Sequence, residues 1–509
     1  MLPDDEHNQR LIANVHPSDW VNPEPSGRYN LVVIGAGTAG LITAVIAASV
    51  GAKVALIEQH LMGGDCLNVG CVPSKGMIRA ARAWADLRTA AEFGLHIPAG
   101  VQYDFGAAMA RMRKLRARIS HHDSAQRYTH LGVEVFIGTA RFAGPDTVTV
   151  EGPAGNRTLR FVNAAICTGA RASALSVPGL QEAGYLTNET VFSLTELPPR
   201  LAVIGAGPIG CELAQAFARF GSQVYVIEAQ HGILPNEDRD AAQIVEQQMA
   251  KDGVQFLCCG KDLKISKADG GKHLTVDSHG QQYDVTVDEI LVGVGRTPNV
   301  EGLGLDAVGV EFDKTGVTVN GRLQTSNPRI FAAGDVCSRY KFTHAADAMA
   351  QIVIQNALFP HPFGLGYASV DALIMPWCTF TEPEVAHVGM YEKDAKEKGL
   401  EVETYTFKLD EVDRAILDGE DDGFARVHIQ KGSDKILGAT IVAAHAGEMI
   451  SEFSVLMKAG LGAKAIAGTI HPYPTQAEVT KKVVNLWRKA HFTPATKSWL
   501  MKLFAWMRR

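Results

Sequence analysis

Two pairs of near-continuous apolar runs stand out along the chain. Leu31–Ile34 is followed by Val54–Ile57, and Leu201–Ile204 by Val224–Ile227. Runs of this length rich in Val, Ile and Leu predict strands buried on both faces of a parallel sheet. Between the members of each pair lies a stretch of helix length closed by a glycine, Gly51 or Gly221, so each pair predicts a strand, a helix and a second strand. The longest uncharged run, Leu31 to Ala52, has the length of a membrane span, but Gly35, Gly37 and Gly40 interrupt it and its period changes halfway. It therefore reads as strand, turn and buried helix.

The two pairs are copies of one unit. LVVIGAGTAGLITAVIAASVGAKVALIE from Leu31 matches LAVIGAGPIGCELAQAFARFGSQVYVIE from Leu201 at an offset of 170 residues. Each copy carries G-x-G-x-x-G, as Gly35, Gly37, Gly40 and Gly205, Gly207, Gly210, and ends in an acid, Glu58 or Glu228, 23 residues after the first glycine. In this spacing the first glycine makes the tight turn, the second admits a pyrophosphate and the third lets helix pack on strand, while the carboxylate accepts from ribose hydroxyls. One such loop is weak evidence, but two in full context predict two dinucleotide sites. One tightly held cofactor and one exchanging cofactor is the arrangement of a flavoprotein that uses a nicotinamide. At Glu228 a carboxylate repels a 2′-phosphate, and Ala229, Gln230 and His231 supply no arginine to receive one, so NADH is favoured over NADPH.

Length and composition narrow the class. At 509 residues the chain exceeds the roughly 250–300 that one core supports, so several domains are expected. A net charge of −6 offers no broad basic field for nucleic acid. The eight cysteines are too sparse for a disulfide framework, so any disulfide should be catalytic. The acidic N-terminus lacks an apolar signal region, which makes the cytoplasm the expected compartment. Residues 1–27, with Pro17, Pro23 and Pro25, predict an arm along the surface.

The segment GGDCLNVGCVPSK, residues 63–75, places Cys66, Cys71 and Lys75 close together. Two thiols in so short a loop can close a disulfide, and a following helix N-terminus together with Lys75 would favour low-pKa thiols. A zinc site would need two further ligands at metal spacing, which are missing nearby, so no metal site is predicted. The vicinal Cys258 and Cys259 read as buried cysteines at a strand end.

With ICTGAR (166–171), GVGRTPN (293–299), IFAAGDV (330–336), TEPEVAHVG (381–389) and HPYPTQAE (471–478), the sequence resembles the FAD-dependent pyridine nucleotide-disulfide oxidoreductases, the family of glutathione reductase, dihydrolipoamide dehydrogenase and mercuric reductase. The resemblance spans roughly residues 28–490. It implies that Cys66 is the interchange thiol, Cys71 the charge-transfer thiol against the flavin, and Lys75 a neighbour of flavin N5 paired with Glu212. Asp335 would bond the ribityl chain. Gly64, Asp65, Thr168, Gly169, Arg296, Gly334 and His344 would join the FAD site and Gly295 the NAD site. On sequence alone Glu212 is a carboxylate early in a helix, and Asp335 a turn residue.

Where the glutathione and lipoamide enzymes read His-Pro-Thr-x-x-Glu, this chain has Tyr473-Pro474-Thr475-Gln476-Ala477-Glu478. A tyrosine, with an unperturbed pKa near 10, donates a proton but is a poor resting base, which disfavours dithiol oxidation. His471, two residues earlier, either supplies that base or is a packing histidine, and Glu478 would orient the active group. Tyrosine here resembles the mercuric reductases, and soft metal matches thiolate, yet those enzymes carry a C-terminal vicinal Cys pair and this sequence has no Cys after Cys378. Asp65, where the family has mostly Thr, either raises the Cys66 pKa or bonds backbone. From Val479 to Arg509 there are eight Lys/Arg and no Asp/Glu. The tail predicts a basic amphipathic helix that packs Trp499, Leu500, Leu503, Phe504 and Trp506 on the dimer or docks on an anionic membrane.

The expected fold is α/β. It has an N-terminal arm (1–27), an FAD domain (28–158, completed by 285–365), an NAD(P) domain (159–284), an α+β dimerisation domain (366–490) and the basic tail (491–509). The expected activity passes electrons from NADH through FAD and a Cys66–Cys71 disulfide to a disulfide or thiol-bound metal ion. The alternatives are a dihydrolipoamide dehydrogenase and a slow redox-sensing or complex-bound flavoprotein. The expected assembly is a homodimer in which Tyr473 and Glu478 serve the other subunit's cysteines.

Overall fold

The computed structural model describes residues 1–152, 155–230 and 232–509. It divides into two compact units, residues 1–231 with 253–373, and residues 232–252 with 374–509.

In the first unit the repeated pattern becomes two βαβ units. The first comprises β1 (Arg28–Ile34), α1 (Thr38–Ser49) and β2 (Val54–Glu58), and is followed by α2 (Gly64–Asn68) and α3 (Cys71–Thr89). With β3 (Val133–Ile137) and β4 (Gly155–Ile166) these strands form a seven-stranded sheet in which β3-β2-β1-β4 run parallel. The apolar runs are continuous because both faces are covered. Leu31, Val33, Val54 and Leu56 enter one core with Leu41 and Ala44, while Val32, Ile34, Ala55 and Ile57 enter another with Phe142 and Phe161. The second copy gives β5 (Arg200–Ile204), α4 (Pro208–Phe220) and β6 (Gln223–Ile227), extended by β7 (Val254–Leu257) and β8 (Glu289–Val292) into a parallel sheet of order β7-β6-β5-β8. The chain then returns to the first sheet as β9 (Ile330–Ala332), beside β4, and continues into α5 (Thr343–Leu358).

Several boundaries differ from the sequence expectation. The 158/159 boundary falls inside β4, and β8, beyond the 284/285 boundary, pairs with β5. The N-terminal arm is not a surface strap. Glu6–Val15 is a helix capped by Asp5, and Leu11 and Val15, one turn apart, are fully buried in the core of the first sheet. Cys258 and Cys259 are half-buried in a turn just after β7 rather than buried at the strand end.

The second unit is built on a five-stranded antiparallel sheet. Its order is β10 (Pro376–Thr379), β11 (Glu384–Gly389), β14 (Ile436–Ala443), β13 (Phe424–Gln430) and β12 (Val402–Lys408). The central β14 is buried along its whole length. Helices α6 (Ala446–Lys458) and α7 (Glu478–Ala490) share its core through Ile450, Phe453, Val479, Val483 and Trp487. A last helix, α8 (Pro494–Met507), buries no residue. Among the described residues no helix is long and apolar enough to cross a membrane.

Candidate active site

The two glycine loops adopt the same backbone. Gly35 and Gly205 have φ of 101° and 105°, and a Cβ on either would meet the carbonyl oxygen of Cys167 at 2.4 Å or of Gly293 at 2.6 Å. A Cβ on Gly40 or Gly210 would lie 1.8 or 2.0 Å from the carbonyl oxygen of the first glycine, so only glycine lets the helix seat on its strand. The middle glycines differ from these. Among the described residues, a Cβ on Gly37 would find only Gly64 Cα, at 3.7 Å, and one on Gly207 nothing within 4 Å, which leaves space at the N-termini of α1 and α4. Each acid closes its loop, with Ala36 N donating to Glu58 Oε2 at 2.7 Å and Ala206 N to Glu228 Oε2 at 2.8 Å. The other oxygens accept from His60 N and Gln230 N, at 2.8 and 3.0 Å. Burial pushes the Glu58 carboxyl upward against the pull of these N–H groups. His231, named with Glu228, lies outside the described residues.

The two cysteines occupy different helical positions. Cys66 lies in the short α2, while Cys71 opens the 19-residue α3, where unpaired N–H groups and the dipole favour an anion. Gly63 and Gly64 hold the turn between β2 and α2 in the left-handed region, and a Cβ on Gly64 would strike Gly37 Cα at 2.7 Å. Both cysteines are thiols here. The Cys66 thiol, donating toward Cys71 and partly buried, is pushed well up. Cys71 is brought down to about 6, chiefly by that hydrogen bond, with help from Thr343 and Lys75 and against burial and Glu212. The expectation of low-pKa thiols therefore holds for one sulfur and reverses for the other, because one proton is shared between them. One turn into α3, Lys75 Nζ meets Glu212 Oε2 of α4 at 2.7 Å, and the Glu212 side chain is only 7% exposed.

Asp65 does neither of the things expected of it. Its carboxylate pairs with Arg296, whose guanidinium also donates to the Ala170 carbonyl. Arg296 Nε is buried and lies 3.4 Å from Asp335 Oδ2. Burial pushes the Asp335 carboxyl up, and its backbone oxygen accepts from Lys341. Thr168 and Gly169 are tied to Asn299, with Thr168 Oγ1 donating to Asn299 O at 2.7 Å and Asn299 N to Gly169 O at 3.0 Å. Gly295 and Gly334 take φ of 119° and 83°. His344, at the start of α5, stacks on Phe342 with ring centroids 5.3 Å apart. Its neighbour Thr343 was not singled out in the sequence. Thr343 Oγ1 lies 3.4 Å from Cys71 Sγ. Its only signal was adjacency to His344. Asp123, also missed, adds negative charge beside Cys66.

The C-terminal motif lies in the second unit. Tyr473 is 70% exposed, and its hydroxyl donates to Asp413 Oδ2 at 2.8 Å, which raises its pKa and weakens it further as a base. His471 is held by Glu452, with Nε2 3.0 Å from Oε1, and by Thr480, while its buried Nδ1 has no partner. Glu478 lies 3.8 Å from Lys482.

The loop at Gly37 fits the pyrophosphate of FAD, because a Cβ there would fill space that the fold leaves empty. The Arg296–Asp335 pair offers further polar groups in the same unit. Residues 29–350 match the pyridine nucleotide-disulphide oxidoreductase model, and residues 375–484 its dimerisation domain. A mercuric reductase of Staphylococcus aureus is 33% identical over 460 residues, covering 89% of this chain and 82% of that protein. A dihydrolipoyl dehydrogenase of Geobacillus stearothermophilus is 31% identical over 461 residues, covering 89% and 95%. Among solved structures, the Cu(II) complex of the HOCl-induced flavoprotein disulfide reductase RclA from Escherichia coli superposes with a TM-score of 0.78 at 28% identity, covering 91% of this chain and all of that one. From the repeated nucleotide loops, the paired thiols and these matches, the chain belongs to the pyridine nucleotide-disulphide oxidoreductases, a family of FAD-dependent enzymes that use pyridine nucleotides.

Proposed function

We propose that this enzyme uses NADH to reduce a Cys66–Cys71 disulfide, and that the resulting dithiol reduces a disulfide or a thiolate-bound soft metal ion. Bound FAD would accept the hydride and hand the electron pair to the sulfurs. One NADH and one proton yield NAD⁺ and two thiols. Those thiols then reform the S–S bond, and two electrons pass either to one external disulfide, released as two thiols that take up the two protons, or to one Hg²⁺ or two Cu²⁺ ions, with two protons released.

The position of Cys71 carries this reading. A sulfur at the first position of a long helix, ionised at about pH 6 by the proton of Cys66, is a ready thiolate. Cys66 holds the shared proton at rest and stands as the exchanging sulfur, attacking once that proton has passed to the Cys71 thiolate. Lys75, fixed by Glu212, sets the positive charge beside them. Asp335, Arg296 and Gly37 would hold FAD, and Gly207 and Glu228 NADH, the Glu228 carboxylate disfavouring a 2′-phosphate. The working unit is a homodimer in which Tyr473 and Glu478 reach the other subunit's cysteines, as the dimerisation-domain match supports.

Tyr473 separates this reading from dihydrolipoamide dehydrogenase. Oxidising a dithiol needs a base, and a phenol that donates to Asp413 is a poor one. NADH oxidation should be brisk with Hg²⁺, Cu²⁺ or a small disulfide, while NAD⁺-linked oxidation of dihydrolipoamide stays slow. Tyr473→His should raise the latter at least about tenfold. Fast dihydrolipoamide oxidation by the unaltered enzyme would overturn the assignment.

A further inference from the structure

The family models account for residues 29–350 and 375–484 and leave α8 beyond them. On this helix, at 100° per residue, Trp499, Leu500, Leu503, Phe504, Trp506 and Met507 fall within an arc of about 160°. Lys497, Lys502, Arg508 and Arg509 fall outside that arc, and between Val479 and Arg509 there is no Asp or Glu. Along the chain the apolar arc is open. Trp499 is 62% exposed, Phe504 53%, Trp506 70% and Met507 67%, and Leu500 and Leu503 are half-buried. Thr493 caps the helix through Thr496 N at 3.1 Å, and Pro494 fits its first position, so the sequence stops α7 and starts a new helix on purpose.

We infer that α8 docks the enzyme on an anionic membrane surface, lying in the plane of the interface with the Trp499–Met507 arc among the upper acyl chains. Charge complementarity points to that occupant. A protein interface uses charges of both signs to fix register, whereas α8 presents cations only. A wide apolar arc with two tryptophans, backed by Lys and Arg, matches the demands of the lipid boundary, where indole rings settle at headgroup level. The dimerisation match ends at 484, before this helix begins.

Co-sedimentation of the FAD-loaded full-length enzyme with vesicles tests this. Binding is expected to phosphatidylglycerol-containing vesicles, weakly or not at all to pure phosphatidylcholine, and should fall in high salt. Each cation near such a surface adds about fivefold to partitioning. The pair Lys497→Glu and Lys502→Glu should therefore lower binding by more than about twentyfold, and Leu503→Asp should abolish it, with NADH oxidation in solution unchanged. Loss of residues 494–509 should abolish it too. Equal sedimentation with and without those residues, or none by the full chain, would overturn the inference. So would conversion of the dimer to monomer on their removal, measured by analytical ultracentrifugation, since a second copy would then cover the arc.

Discussion

The two βαβ copies share the backbone of their glycine loops and diverge in the segment that leaves the second strand. Gly35 and Gly205, Gly40 and Gly210, Glu58 and Glu228 make matching turns, contacts and hydrogen bonds. After β2, however, the chain turns back through Gly63 and Gly64, so that Gly64 lies against Gly37, and enters the helix begun by Cys71. After β6 the corresponding glycine, Gly207, has no described atom within 4 Å of where its Cβ would stand. The same local code makes two glycine turns closed by an acid, and the segment added to the first carries Cys66 and Cys71, the proposed redox centre. An enclosed cradle suits a cofactor that stays, and an open one a cofactor that exchanges.

The added segment is where substitutions should matter most. Cys66→Ser or Cys71→Ser should lower acceptor-dependent NADH oxidation by at least about a thousandfold, since each thiol is half of the proposed electron store. Flavin content, read from the visible spectrum, should stay at the level of the unaltered enzyme. Turnover surviving either change would show that the segment is not the redox centre.

Next in size comes an alanine at each middle glycine. Gly37 and Gly207 have φ of −77° and −73°, which any residue adopts, and a Cβ meets nothing closer than 3.7 Å. The fold should accept both changes, and any loss reports on the ligand. Gly37→Ala should purify with FAD depleted at least about tenfold. Gly207→Ala should keep its flavin and raise the KM for NADH by a similar factor without changing kcat, as uniform binding is lost. Reversal of these outcomes would exchange the roles of the two copies.

This contrast was only half legible in the sequence. The strands, helices and glycines were readable because each copy obeys short-range rules, with continuous apolar runs for strands covered on both faces and a fixed glycine spacing for the turn. Cys66, Cys71 and Lys75 stood out through proximity in the chain. Contacts that depend on distant segments did not show. Thr343 reaches Cys71 across 272 positions and Arg296 reaches Asp65 across 231, and no local pattern records either approach. The N-terminal helix, which ends before Pro17, Pro23 and Pro25, is masked by those later prolines, although Leu11 and Val15 carry the spacing of a buried face.

Glu228 sharpens the comparison on the open side. Replacing it with Gln keeps the bond from Ala206 N but removes the charge that opposes a 2′-phosphate. The ratio of kcat/KM for NADH over that for NADPH should fall about tenfold. Glu58→Gln, buried within the other copy, should leave that ratio unchanged. Equal effects from both would mean that the two acids do not read different nucleotides.

The smallest effect concerns the charge beside Cys71. Its thiolate, with a pKa of about 6, is held first by the Cys66 S–H, then by Thr343 and Lys75, and is opposed by Glu212. Above that pH the sulfur is mostly ionised, and below it the thiol returns and nucleophilicity is lost. Lys75→Met removes an attraction and leaves Glu212 uncompensated, so the midpoint should move up. Glu212→Gln removes the opposing charge while Lys75 stays, so it should move down. Alkylation of the reduced enzyme from pH 5 to 9, with the Cys71 peptide quantified by mass spectrometry, reads both. At pH 6 the Lys75 variant should label a few-fold more slowly than the unaltered enzyme, and at pH 9 the two should agree. If the two substitutions move the midpoint in the same direction, the ion pair acts on Cys71 through packing, and the thiolate rests on Cys66 and Thr343 alone.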